Sequence, residues 1–146
     1  MRLASLVRTL PPRLTAGAFI LNSGLGKLSA DEETAARLHG MAASTYPFLG
    51  KMQPKDFARL LAAGEIAVGT TLLLPVVPAG LAGLALTAFS GGLIGLYLKT
   101  PGMRMEGSLR PTQQGVPLAK DIWLVGIGAG LMLDALADSR ANSAAG

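Results

Sequence analysis

Four long apolar stretches, each closed off by charged, proline-rich or glycine-rich segments, set the rhythm of this chain. The first runs from about Pro12 to Leu28 and follows a short stretch in which Arg2 and Arg8 sit among Leu and Val, interrupted by Pro11 and Pro12. This predicts a short interfacial helix and then an uncleaved span, because the run ends in Asn22-Ser23-Gly24-Leu25-Gly26-Lys27-Leu28 with no small-x-small cleavage site. Ser29 to Asp56 is polar enough to leave a bilayer. Within it, Asp31, Glu32 and Glu33 have the negative charge of a helix's first turn, and that helix should continue through Arg37 and His39 to about Ala43. Tyr46 to Met52 then reads as a turn with aromatic anchors at a membrane surface.

The second apolar stretch, about Phe57 to Val77, carries one charge well inside, Glu65, and Pro75 and Pro78 close it into a tight hairpin with the third. Ala79 to Leu98 contains no charged residue and gives the cleanest transmembrane signal. Lys99 to Gly115 is a loop rich in Pro, Gly and basic residues. Pro117 opens the fourth stretch, which reaches about Ala137, and the small polar tail from Asp138 to Gly146 is predicted to be disordered. The expected fold is all-α: one domain over residues 1–146, an integral membrane four-helix bundle with a short extramembrane helix between spans one and two.

Composition supports lipid as the solvent. Half of the 146 residues are hydrophobic and 15% are charged, against about 25% charged in ordinary soluble domains, and the mean hydropathy is +0.44. The formal charge of +4 comes from scattered Lys and Arg without aromatic interleaving or a reader motif, which fits anionic lipid headgroups and argues against nucleic acid. With no cysteine and one histidine, His39, the chain has no thiol redox pair, no disulfide framework and no self-contained multi-histidine metal site. His39 reads as a packed or solvated residue, Tyr46, Tyr97 and Trp123 as interfacial anchors, and Arg104 and Arg110 as solvated loop cations. Among the glycines, Gly91 with Gly95 and Gly126 with Gly130 have small-xxx-small spacing, expected to serve tight helix packing and available to an oligomer.

An ionisable group in hydrocarbon costs several kcal/mol unless it faces protein or water, so the depth of polar residues is the main clue to function. Counted from the loop-rich side at about 1.5 Å per residue, Asn22 lies roughly 9 Å in and Glu65 and Ser90 roughly 12 Å in. Lys27, Lys120 and Asp121 lie nearer the same surface. These six residues define a candidate polar cluster with two readings. One is a pocket in one leaflet that binds a quinone or another amphiphile, or relays a proton. The other is a structural pair in which Lys27 or Lys120 neutralises Glu65 and fixes which helix faces which.

The order and placement of three short motifs resemble the DoxX family of four-helix membrane proteins: Ser23-Gly24-Leu25-Gly26-Lys27-Leu28 ending span one, Gly64-Glu65 with Gly69 in span two, and Ala119-Lys120-Asp121 opening span four. The resemblance runs from about Leu14 to Leu136. It implies a multi-pass protein of the bacterial plasma membrane, acting as a membrane subunit or anchor of a redox or detoxification complex, with a quinone-linked or lipid-binding role as the alternative. Glu65, Lys27, Lys120 and Asp121 are the positions it marks. Any sulfur chemistry in such a complex would have to come from a partner subunit, since this chain has no cysteine.

Overall fold

The computed structural model describes residues 3–144. Among them the secondary structure is helical: α1 (Leu3–Lys27), α2 (Glu32–Thr45), α3 (Pro54–Leu73), α4 (Ala79–Lys99), α5 (Val116–Ala119) and α6 (Ile122–Ser143), with a 3-10 turn at Pro47–Lys51. The apolar stretches became the four long helices, and the acidic run at 31–33 became the start of α2, where the Asp31 side chain accepts a hydrogen bond from the Thr34 amide at 2.8 Å. That N-cap satisfies one of the amides a helix start leaves without a partner.

Three boundaries differ from the expectation. Pro11 and Pro12 do not interrupt α1, which runs on from Leu3. Each proline withholds an amide from the carbonyl four residues earlier, but those carbonyls belong to Val7 and Arg8, whose side of the helix is exposed. The fourth stretch is broken at Lys120–Asp121 into short α5 and long α6. The tail is helical through Ser143 instead of disordered from Asp138, because Asp138 and Asp134 are held from across the molecule by Arg8, at 3.3 and 2.8 Å.

Two helices, α4 and the stretch Val116–Ser143, are long and apolar enough to cross a membrane. By composition α1 and α3 fall short, since they carry Arg13 and Lys27, and Arg59 and Glu65, among their apolar residues.

The long helices assemble as two intimate antiparallel pairs, α1 with α3 and α4 with α6. Glycine makes both pairings possible. A Cβ on Gly69 would come within 2.7 Å of the Leu21 amide nitrogen and 2.9 Å of the Gly17 carbonyl oxygen, and one on Gly83 would run into the Gly128 carbonyl. The small-xxx-small pairs picked from the sequence do not perform this role. Gly91, Gly126 and Gly130 have nothing within 4 Å of a Cβ position, and Gly95 makes room for the Tyr46 hydroxyl. Although a five-residue connection joins α3 to α4, each packs more closely on another helix.

The pairs meet in a core of Ala16, Ile20, Leu72, Ala79, Ala82, Leu86 and Leu131, at the α3–α4 hairpin end. Arg13 seals that end. Its guanidinium donates at 2.6–3.2 Å to the carbonyls of Thr71 and Leu72 in the last turn of α3 and of Leu74 and Val77 in the connection that follows. Toward the loop-rich end the pairs leave a space between them, covered by α2, by the 100–115 loop and by α5.

Candidate functional site

That space is a cavity of about 490 Å³, within the range of roughly 300–1,000 Å³ typical of small-molecule sites. Its walls are mostly apolar. α1 contributes Phe19 and Ile20, α2 Leu38 and Met41, α3 Leu61, and α4 the i, i+4, i+7 stripe of Phe89, Leu93 and Leu96. Polar atoms gather at one corner, where Ser23 and Lys27 of α1, Glu65 of α3 and Asp121 at the start of α6 all reach the cavity. Arg37 and Gln114 stand at its exposed margin.

Helical spacing brings the corner together. Ser23 and Lys27 are four residues apart, one above the other on α1, and the Lys27 ammonium donates to the Ser23 hydroxyl at 2.7 Å. Gly24 lets α3 approach, since a Cβ there would lie 2.9 Å from the Glu65 Cβ. Glu65 is 6% exposed, and its Oε2 lies 3.0 Å from the Lys27 ammonium nitrogen. That separation makes a buried ion pair, and no second donor reaches Oε2.

Of the six residues in the expected cluster, the structure brings Lys27, Glu65 and Asp121 to one cavity. Asn22 is exposed on the outer side of α1. Five residues from Lys27, it is rotated about 140° away around the helix and so points away from the cluster. Ser90 is fully buried in α4 and donates to the Leu86 carbonyl at 2.6 Å, one turn back, outside the cavity lining. Lys120 is exposed and lines an outer groove with Asp121. Ser23 was missed, although counting back four residues from Lys27 would have found it.

The aromatic residues also divide. Trp123 is 67% exposed, as an anchor would be. Tyr97 is buried and donates to the Leu109 carbonyl at 2.6 Å, while Tyr46 donates to the Gly92 carbonyl at 2.8 Å, so both tie covering segments to α4. His39 is packed, its Nε2 2.8 Å from the Leu49 carbonyl oxygen and its ring 5.6 Å from that of Phe57. Compared with known proteins, the chain matches no family model, no curated protein and no solved structure.

Proposed function

We propose that the chain is a DoxX-like integral membrane protein of the plasma membrane, its four long helices crossing the bilayer, and that the cavity binds an amphiphile of the quinone and quinol class. The observation that carries the binding reading is the cavity itself, about 490 Å³ with mostly apolar walls and with Ser23, Lys27, Glu65 and Asp121 gathered at one corner. A quinol hydroxyl can donate to a carboxylate at that corner, Asp121 or Glu65, and the Lys27 ammonium, with three N–H groups, can donate to a ring carbonyl. Apolar walls suit the ring and the start of an isoprenoid tail.

Four spans are supported by where the charges and apolar side chains fall. Arg13, Lys27 and Glu65 are sheltered by protein partners, whereas Leu10, Leu14, Phe19 and Leu25 on α1, Leu60 on α3, Leu81 and Leu84 on α4, and Leu133 and Leu136 on α6 are exposed. Shelter for these charged groups and apolar side chains outside is the arrangement lipid demands.

Thermal unfolding of the protein in nanodiscs, with and without a decyl-benzoquinone or its quinol, tests the binding. Saturable binding is expected, stabilising by about 2.7 kcal/mol at a hundred times Kd. Glu65→Gln should weaken quinol binding about tenfold, equivalent to roughly 1.4 kcal/mol. Because that change also leaves Lys27 without its counter-charge, Leu93→Phe is the companion variant: it fills the cavity without touching the ion pair and should abolish binding while helical content is kept. Wild-type affinity in both variants refutes the reading.

A second reading, membrane subunit of a redox complex, draws on the loop between α4 and α5. There Met105 and Leu109 are exposed on a hairpin closed by the Met105 amide donating to the Arg110 carbonyl at 2.8 Å. This is a defined apolar surface for a partner subunit. Copurification in mild detergent should retain that partner, and Met105→Ser with Leu109→Ser should release it.

A further inference from the structure

Outside the cavity, α1 and α6 enclose a groove of about 620 Å³, lined by Thr15 and Ala16 of α1, Trp123 and Ile127 of α6, and Lys120 between α5 and α6. Groove and cavity are adjoining spaces: Phe19, Pro117, Asp121 and Leu124 line both. The geometry points to a lateral portal between α1 and α6, through which an amphiphile with an isoprenoid or acyl tail passes from the bilayer into the cavity.

Three observations carry this. First, α1 and α6 belong to different tight pairs and touch each other sparingly. Among the described residues, the side-chain hydrogen bonds across their seam lie at one end, where Ser5 and Arg8 each donate to the Asp134 carboxylate at 2.8 Å. The groove lies farther along the same seam toward the loops, beyond that fastening. Second, the partition contains Phe19, which is 70% exposed yet lines both spaces. Turning one side chain about χ1 alters the opening without moving a helix, and exposed side chains turn on the picosecond to nanosecond scale. Third, the polarity of the groove is graded. Lys120 and Asp121 lie at the loop-rich end, whereas Ala16 and Ile127 lie deeper and are apolar. A headgroup drawn to Asp121 therefore stands at a residue shared with the cavity that holds Lys27 and Glu65, and its tail trails along α1 into lipid.

The portal rests on the amphiphile-binding reading, but it makes a separate kinetic claim. A route sets rates in both directions and leaves the equilibrium unchanged. The absence of native cysteine makes this testable: a single Thr15→Cys is labelled with a bulky maleimide to obstruct the groove, and Leu25→Cys, exposed on α1 outside the groove, carries the same label as control. Binding and release of the decyl-benzoquinone in nanodiscs are followed by stopped-flow quenching of Trp123, the sole tryptophan, with affinity measured separately at equilibrium.

The label at 15 should slow association and release by about tenfold each while Kd stays within about twofold. The label at 25 should change neither, and Phe19→Ala should speed both phases with the helical signal intact. Unchanged rates in the 15-labelled protein overturn the portal while the binding reading stands. Weakened affinity with an unchanged association rate also overturns it, since the groove is then part of the binding site. If the unlabelled protein shows no saturable binding, the reading of the cavity fails and the portal falls with it.

Discussion

Arg13 is the residue whose surroundings most change its meaning. In the sequence it is one more cation near the start of an apolar run, yet it is 2% exposed and donates to four carbonyls at the end of α3 and in the connection to α4. Arg13→Leu removes those donors and should destabilise the protein by about 2–4 kcal/mol, read as a lower midpoint of helix loss in detergent. Arg13→Lys should recover only part of this, because a single ammonium cannot reach the positions a planar guanidinium serves. On the surface, effects are smaller and depend on pH. The Thr34 amide holds the Asp31 carboxyl below its usual 3.8, and Lys55, at 2.9 Å, holds Glu32 down in the same way. Both groups have lowered folded-state values, so their contribution is complete above the unfolded value and fades as pH falls through the folded one. The thermal advantage of the wild type over Asp31→Ala should therefore hold at neutral pH and shrink once the pH drops below 3.8. An advantage unchanged at lower pH would show that the cap does not act through the carboxylate.

At the scale of elements, the two glycine classes differ in what they face. Gly69 lies where α1 and α3 touch backbone to backbone, so a methyl group there meets the Leu21 amide and the Gly17 carbonyl, neither of which can swing aside. Gly69→Ala should cost about 1–3 kcal/mol, as overpacking does. Gly126, with nothing within 4 Å of a Cβ position, offers the opposite case. Gly126→Ala should be neutral or stabilise by up to about 1 kcal/mol from helix propensity alone. Paired unfolding curves of the two variants check both outcomes, and equal effects would contradict the assignment of α1–α3 as a close-contact pair. The GxxxG spacing at 91–95 and 126–130 could not separate these classes, because spacing places two glycines on one helix face without saying what that face meets. The same limit applies to Pro11 and Pro12, whose cost depends on whether the carbonyls they strand are buried or exposed.

For the whole molecule, the arrangement of pairs sets the site. The four long helices are joined into two pairs by glycine contacts, fixed to each other by a core at the hairpin end, and separated by a cavity at the loop end. On the four-span reading, the protein should remain in the membrane pellet through an alkaline carbonate wash. Release into the supernatant would limit the membrane role to peripheral contact. The all-α class, the approximate limits of the long helices, the acidic start of α2 and a lysine partner for Glu65 were legible in the sequence, because hydrophobic run length, turn residues and a lone charge in an apolar stretch are local properties. The rotation of each helix about its axis is not local. It placed Ser23 rather than Asn22 in the cavity, turned Ser90 into its own helix and sent Arg13 to the end of α3. Only the tertiary structure decided these, because a side chain's partner is set by which faces of distant segments can approach, and here that approach is governed by glycines at Gly17, Gly24, Gly69, Gly83 and Gly128.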